Sequence, residues 1–217
     1  LPAIETEQRN TQAKSLKPPF RVISDFLAED TVLGLLAYAE ANEPRFVATK
    51  VGDGIVRPVM RASHALRDLG VFKADIKAKI NALVPALIAE LRVTPFEPSG
   101  IELELVAHGD GAFYKRHIDT RTAAKGPHRS IRVLSGVYYF HSLPKAFEGG
   151  ALRLYEIATS ADDAGFVDIE PVRNTLLFFP SWAPHEVMPI SCPSGRFMDS
   201  RFAINCWVHR KSAEAAP

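Results

Sequence analysis

Ile101-Glu102-Leu103-Glu104-Leu105-Val106-Ala107 decides the fold class. Ile101, Leu103, Leu105 and Ala107 fall on one side of an extended chain while Glu102 and Glu104 fall on the other, as in a strand with one wet face. Upstream the apolar period is different. Phe72, Ile76, Ile80, Leu83, Leu87 and Leu91 recur every three or four residues, so 71 to 91 reads as a helix. Pro85 within it removes an N–H donor and predicts a kink or a break into two pieces. A shorter helix is expected through Leu27, Val32, Leu35, Leu36 and Ala39, with Asp25 as its cap. Phe20 to Phe26 reads as extended, 45 to 63 as a hairpin or loop, and 1 to 19 as a tail or lead-in strand.

Downstream of residue 100 strand-like segments follow one another: Phe113 to Asp119, Ile131 to Phe140, Ala151 to Ile157, Phe166 to Ile169, Thr175 to Phe179, Glu186 to Ile190 and Arg201 to His209. Gly, Pro, Ser and Asp turns separate these roughly eight strands. Helices first and strands afterwards exclude the alternation of a dinucleotide-binding α/β fold. They predict an α+β, mainly β domain of barrel-like form. One domain over 20–210 is expected, with 20–100 as helical support and 101–209 as the β core.

Composition narrows the partners. The 217 residues carry a net charge of +1 and are 47% apolar, enough for one sizeable core. Balanced charge disfavours a nucleic-acid partner held by blanket phosphate neutralisation. No apolar run approaches the roughly 20 residues of a membrane span, and no signal peptide is expected ahead of Leu1. Cys192 and Cys206 allow one disulfide at most. A free, buried Cys206 is the expectation, and with it a reducing, cytoplasmic setting.

Polar residues inside the strand-rich half carry the chemistry. His117 and Asp119 are two apart, so on a strand imidazole and carboxylate project side by side while Ile118 faces the other way. His185 follows the run Leu176-Leu177-Phe178-Phe179-Pro180 and can return as a third ligand. Two imidazoles and one carboxylate on one triangular face leave three octahedral positions open, the ligand set of mononuclear non-haem Fe(II) oxygenases. His64, His108, His128, His141 and His209 are also present, so spacing alone does not choose among the histidines.

Six pieces in order supply the wider pattern: Gly111 to Asp119, Val137-Tyr138-Tyr139-Phe140, Glu148 to Leu154, Leu177 to Ser181, His185-Glu186-Val187 and Arg201 to Trp207. Together they resemble the iron(II)- and 2-oxoglutarate-dependent dioxygenases, in particular the prolyl-4-hydroxylase-like branch. The resemblance implies a double-stranded β-helix (jelly roll) braced by the N-terminal helices, with His117, Asp119 and His185 as iron ligands. It implies Arg201 as the clamp on the distal carboxylate of 2-oxoglutarate, Tyr139 as its hydroxyl partner, and Val137 and Leu152 as pocket lining. His108 stands where relatives carry a tyrosine, and is expected to face the cosubstrate. Arg132 and Trp207 match substrate-side positions.

The implied cofactor and cosubstrates are Fe(II), 2-oxoglutarate and O2, with ascorbate as a candidate reductant. Iron(II) with one aspartate leaves +1, and Arg201 adds +1, which together suit a dianion. The implied activity is hydroxylation of an unactivated C–H, best of a prolyl residue in a peptide or protein. Hydroxylation of a free amino acid or small metabolite is the second reading. A non-catalytic metal-binding jelly roll is the third. Segments 120 to 130 and 188 to 200 read as insertions near the mouth, where substrates are selected.

Overall fold

A computed structural model describes residues 15–51, 54–120, 130–158 and 165–211. In chain order the strands are β1 (Arg21–Ser24), β2 (Val47–Ala48), β3 (Arg61–Ala62), β4 (His64–Leu66), β5 (Pro98–His108), β6 (Phe113–His117), β7 (Ser130–Phe140), β8 (Glu148–Gly149), β9 (Leu152–Tyr155), β10 (Phe166–Ile169), β11 (Thr175–Pro180), β12 (His185–Val187), β13 (Ile190–Ser191) and β14 (Arg201–Lys211). Two helices, α1 (Glu29–Ala41) and α2 (Phe72–Glu90), precede the long strands. Seven strands form one antiparallel sheet in the order β1-β11-β7-β14-β5-β4-β2, and five form a second in the order β10-β9-β12-β6-β3. β8 and β13 pair separately.

Side-chain alternation along β7 and β14 divides the interior in two. Leu134, Tyr138 and Phe140, with Phe202, Ile204, Cys206 and Val208, share one cluster with Val32 and Leu35 of α1 and Ile76, Ile80 and Leu87 of α2. The intervening Val137, Tyr139 and Ala203 turn the other way and meet Leu152 and Leu154 of the smaller sheet, together with Leu177 and Phe179. Each fully buried leucine or phenylalanine contributes about 1.5–3 kcal/mol, so two such layers fix which face of every strand looks inward. The inward layer is where the functional residues lie. This is the mainly β domain expected from the change of period, and the helix-braced jelly roll that the family resemblance implied.

The helices depart from expectation in detail. Asp25 does not cap α1; its φ is 51° and the N-cap is Ala28, with no side-chain cap. The approach to the helix is instead held by Asn174, which accepts from the Leu27 N–H (3.0 Å) and donates to the Leu27 carbonyl (2.8 Å). Pro85 neither breaks nor divides α2, which runs unbroken from Phe72 to Glu90. Pro85 and Asn81 are both exposed, so water can serve the carbonyl that the proline leaves without a donor. The expected strand from Glu186 to Ile190 is two short strands, β12 and β13. Both cysteines are free and buried. Among the described residues, no helix is long and apolar enough to cross a membrane.

Candidate metal centre and cosubstrate pocket

β6 ends on His117 and β12 begins on His185, and the two residues are direct cross-strand partners. Their ring centroids lie 4.2 Å apart. His117 Nδ1 is 2.8 Å from the Lys115 carbonyl, and His185 Nδ1 is 2.9 Å from the Ala183 carbonyl. A carbonyl only accepts, so each Nδ1 donates and each Nε2 is the ring nitrogen left to face the cluster. Tyr114 stacks on the His117 ring at 3.5 Å and fixes its plane.

Asp119 departs from the expected strand geometry. β6 stops at His117, so same-face alternation along one strand does not bring the carboxylate in. The chain bends, and the Asp119 N–H donates to the Ser181 carbonyl at 2.9 Å. That anchor returns the carboxylate to the imidazoles, with Oδ1 3.8 Å from His117 Nε2 and Oδ2 3.6 Å from His185 Nε2. One ligand atom from each of the three residues fits within a 4.8 Å span.

Electrostatics tune two of the three groups for metal ligation. Burial, reinforced by the neighbouring His185, pushes the His117 imidazole down to about 3, so it is neutral at pH 7. Burial alone would raise Asp119, but His185, His117, the Ser135 hydroxyl and Arg132 outweigh it and hold the carboxyl below its usual range. With both Nδ1–H groups committed to carbonyls, the two Nε2 atoms and one carboxylate converge. Such a set fits a divalent cation, and its imidazole and carboxylate donors suit iron(II).

Arg201 opens β14 opposite His108, its cross-strand partner on β5. It is 1% exposed. Its Nη1 donates to His108 Nδ1 at 3.1 Å, which places the remaining imidazole proton on Nε2. Burial first, then the Arg201 and Arg61 charges, holds His108 far below its ordinary value and therefore neutral. No carboxylate pairs with Arg201 among the described residues. Its Nε and the nearby Tyr139 hydroxyl are both buried without a partner, and the guanidinium sits 4.8 Å from the Tyr139 ring centre. A buried cation without an anion is costly, and two orphaned donors beside it mark the place of an acidic ligand. The cavity at the metal cluster is walled by His108, Val137, Leu152, Arg201, Asn205 and Trp207.

Arg132 stays close to the metal cluster, its Nη1 3.9 Å from Asp119 Oδ1. It is absent from that cavity wall and lies behind Trp207, its guanidinium 3.8 Å from the indole ring centre and its Nη2 2.7 Å from Glu102 Oε2. Trp207 does line the cavity, and its Nε1–H also donates to Asp119 Oδ2 at 2.8 Å. Segment 120 to 130 falls almost wholly outside the described residues, whereas 188 to 200 carries β13 and a short helical turn, Phe197–Asp199. Ser135, Ser181 and Tyr114 went unremarked in the sequence. Ser135 had a signal, since counting back in twos from Val137 puts a serine on the inward face of an apolar strand.

A jelly roll with two imidazoles and one carboxylate at one end of its inter-sheet cavity, and a buried unpaired arginine lining that cavity, defines a mononuclear non-haem metal protein built for an acidic ligand. Comparison with known proteins agrees. The 2OG-Fe(II) oxygenase superfamily profile matches residues 103–209. An uncharacterised PKHD-type hydroxylase of Synechocystis sp. is 39% identical over 157 residues, covering 70% of this chain and 50% of that protein. This chain thus spans about half the length of the curated relative it matches. A Pseudomonas putida prolyl-4-hydroxylase superposes with a TM-score of 0.65 at 25% identity, over 90% of this chain and 94% of that one. A Trichoplax adhaerens prolyl hydroxylase, solved with a hypoxia inducible factor peptide fragment, shares the fold at TM-score 0.65 and 21% identity, over 88% and 83% of the two chains. The chain belongs to the 2OG-Fe(II) oxygenase superfamily.

Proposed function

We propose that this chain is an Fe(II)- and 2-oxoglutarate-dependent dioxygenase that hydroxylates an unactivated C–H of a prolyl residue in a peptide or protein. The observation that carries the reaction class is the pairing of a His117-Asp119-His185 cluster with a buried Arg201 that, among the described residues, has no carboxylate partner and lines the same cavity. When bound, iron and 2-oxoglutarate supply the oxidising power, O2 being reduced as the 2-oxo acid is converted to succinate and CO2.

The chain's own residues do the rest. His117, Asp119 and His185 hold the metal and leave three coordination positions free for cosubstrate and O2. Arg201 takes the far carboxylate of the dianion, and its planar fork fixes both oxygens. The Tyr139 hydroxyl, kept protonated because burial raises the phenol, donates to the same carboxylate. His108, neutral and protonated on Nε2, adds a donor without adding charge. Val137, Leu152 and Trp207 exclude water around the chain of the dianion.

The prolyl-peptide reading is supported by the likeness to the Pseudomonas putida prolyl-4-hydroxylase and to the Synechocystis hydroxylase. It is tested by incubating the protein with Fe(II), 2-oxoglutarate and O2 against proline-containing peptides and free amino acids, reading +16 Da products and succinate. Peptidyl hydroxyproline formed one-to-one with succinate is the expected result. Turnover of free proline with no peptide product would transfer the assignment to a metabolite hydroxylase. Succinate formation that no substrate stimulates would refute both.

A further inference from the structure

Asp119 has two carboxylate oxygens, and the fold treats them differently. Oδ2 accepts the Ser135 hydroxyl proton at 2.7 Å and the Trp207 indole proton at 2.8 Å. A carboxylate oxygen has two in-plane lone pairs, so these donors fill Oδ2. Among the described residues Oδ1 accepts no hydrogen bond: His117 Nε2 lies 3.8 Å and Arg132 Nη1 3.9 Å from it, while Oδ2, 3.6 Å from His185 Nε2, is the oxygen that the two donors occupy.

Neither donor is free to swing away. Ser135 on β7 and Trp207 on β14 are direct cross-strand partners, so both approach the carboxylate from the same face of the sheet. Ser135 is 1% exposed, and because its one proton goes to Asp119, the hydroxyl 2.9 Å away on the fully buried Ser181 must donate to it. Ser181 also accepts the Asp119 N–H through its carbonyl. Trp207 is backed by Arg132, which stacks on the indole and is tied to Glu102, itself the cross-strand neighbour of Trp207 on β5.

We propose that Ser135 and Trp207 are positioning residues that force Asp119 to ligate the metal through Oδ1 alone, with Ser181 and Arg132 holding the two donors in place. The inference rests on the metal-centre reading above and deepens it. A carboxylate free to turn can bind a metal through both oxygens and so occupy a position that the cosubstrate or O2 needs. With Oδ2 saturated by protein donors that route is closed, and three positions stay open. Trp207 and Arg132 thereby act on the ligand shell itself.

The test uses Co(II) in place of iron, without O2 chemistry, on Ser135→Ala, Ser135→Thr, Trp207→Phe and the Ser135→Ala/Trp207→Phe pair. Trp207→Phe keeps a ring against Arg132 and removes the N–H. Each single loss of a donor should weaken Co(II) binding about tenfold, within the 10- to 100-fold range for such outer partners, and Ser135→Thr should restore it. The paired variant should also show a shifted visible d–d spectrum, because a second carboxylate oxygen takes a coordination position otherwise left to water. Wild-type affinity and spectrum in the paired variant would overturn the proposal. So would a Ser135→Ala loss that Ser135→Thr fails to recover while Trp207→Phe binds normally. Asp119→Ala is the control: if it binds Co(II) as wild type does, the metal centre falls and this inference with it. Absence of peptide hydroxylation leaves these titrations unaffected, so the two failures are distinguishable.

Discussion

Arg201→Met should make the ligand-free protein more stable while removing its affinity for 2-oxoglutarate. Arg201 is fully buried, its guanidinium donates to His108 and lies over the Tyr139 ring, and among the described residues no carboxylate pairs with it. Replacing a buried charge by an apolar side chain of similar length typically stabilises by about 1–4 kcal/mol. From about 3 kcal/mol on that scale we subtract about 1 kcal/mol for the donor that His108 Nδ1 loses. The balance of about 2 kcal/mol corresponds to a rise in Tm of about 4–8 °C for a chain of this size. The same substitution removes two charge-assisted hydrogen bonds to the dicarboxylate. A loss of about 3 kcal/mol raises Kd roughly 150-fold. Thermal melts of metal-free protein, beside calorimetric titration of 2-oxoglutarate into the Mn(II)-loaded form, measure both halves. A fall in Tm of several degrees with 2-oxoglutarate affinity unchanged would show that Arg201 is a structural residue satisfied by its own fold.

Tyr139→Phe should weaken 2-oxoglutarate about fivefold, since one hydrogen bond is worth about 1 kcal/mol; titration of the Mn(II) form reads it. Gly150→Ala should disturb the same clamp, because the new Cβ would lie 2.7 Å from Arg201 Cδ at a φ of +74°; a 2-oxoglutarate Kd equal to wild type would contradict this. For the metal-free protein, stability should fall with acid below the ordinary histidine range. His108 and His117 have folded values below about 6.5, so the unfolded chain binds the extra protons and each histidine costs up to about 1.4 kcal/mol per pH unit. Denaturant titrations between pH 7 and pH 5 check the sign.

The long strands were legible in the sequence because each carries helices on one face and a cavity on the other. Along Arg201 to Val208 a period of two separates Arg201, Asn205 and Trp207, which line the cavity, from Phe202, Ile204, Cys206 and Val208, which pack in the helix-side core. The histidine pair was legible through the family resemblance and not through spacing, because the register of β6 with β12 that joins residues 117 and 185 is a long-range pairing. What escaped depends on partners remote in sequence. Asp119 lies beyond its strand and is recovered by the carbonyl of Ser181. Asp25 yields its expected capping role to Asn174, 147 residues from the Leu27 that it holds. The joint grip of Ser135 and Trp207 on one oxygen exists through the register of β7 with β14, which neither strand declares alone. Arg132 was read as a residue beside substrate, and its stacking behind Trp207 follows from that same register.

Anomalous diffraction from crystals grown with Mn(II) and 2-oxoglutarate tests the central assignment most directly. One metal peak should lie between His117 Nε2, Asp119 and His185 Nε2. The dianion should reach from that metal to Arg201, with its far carboxylate against the guanidinium and the Tyr139 hydroxyl. A metal bound elsewhere, or a dicarboxylate that leaves Arg201 unpaired, would contradict the assignment of this cavity as an oxygenase site.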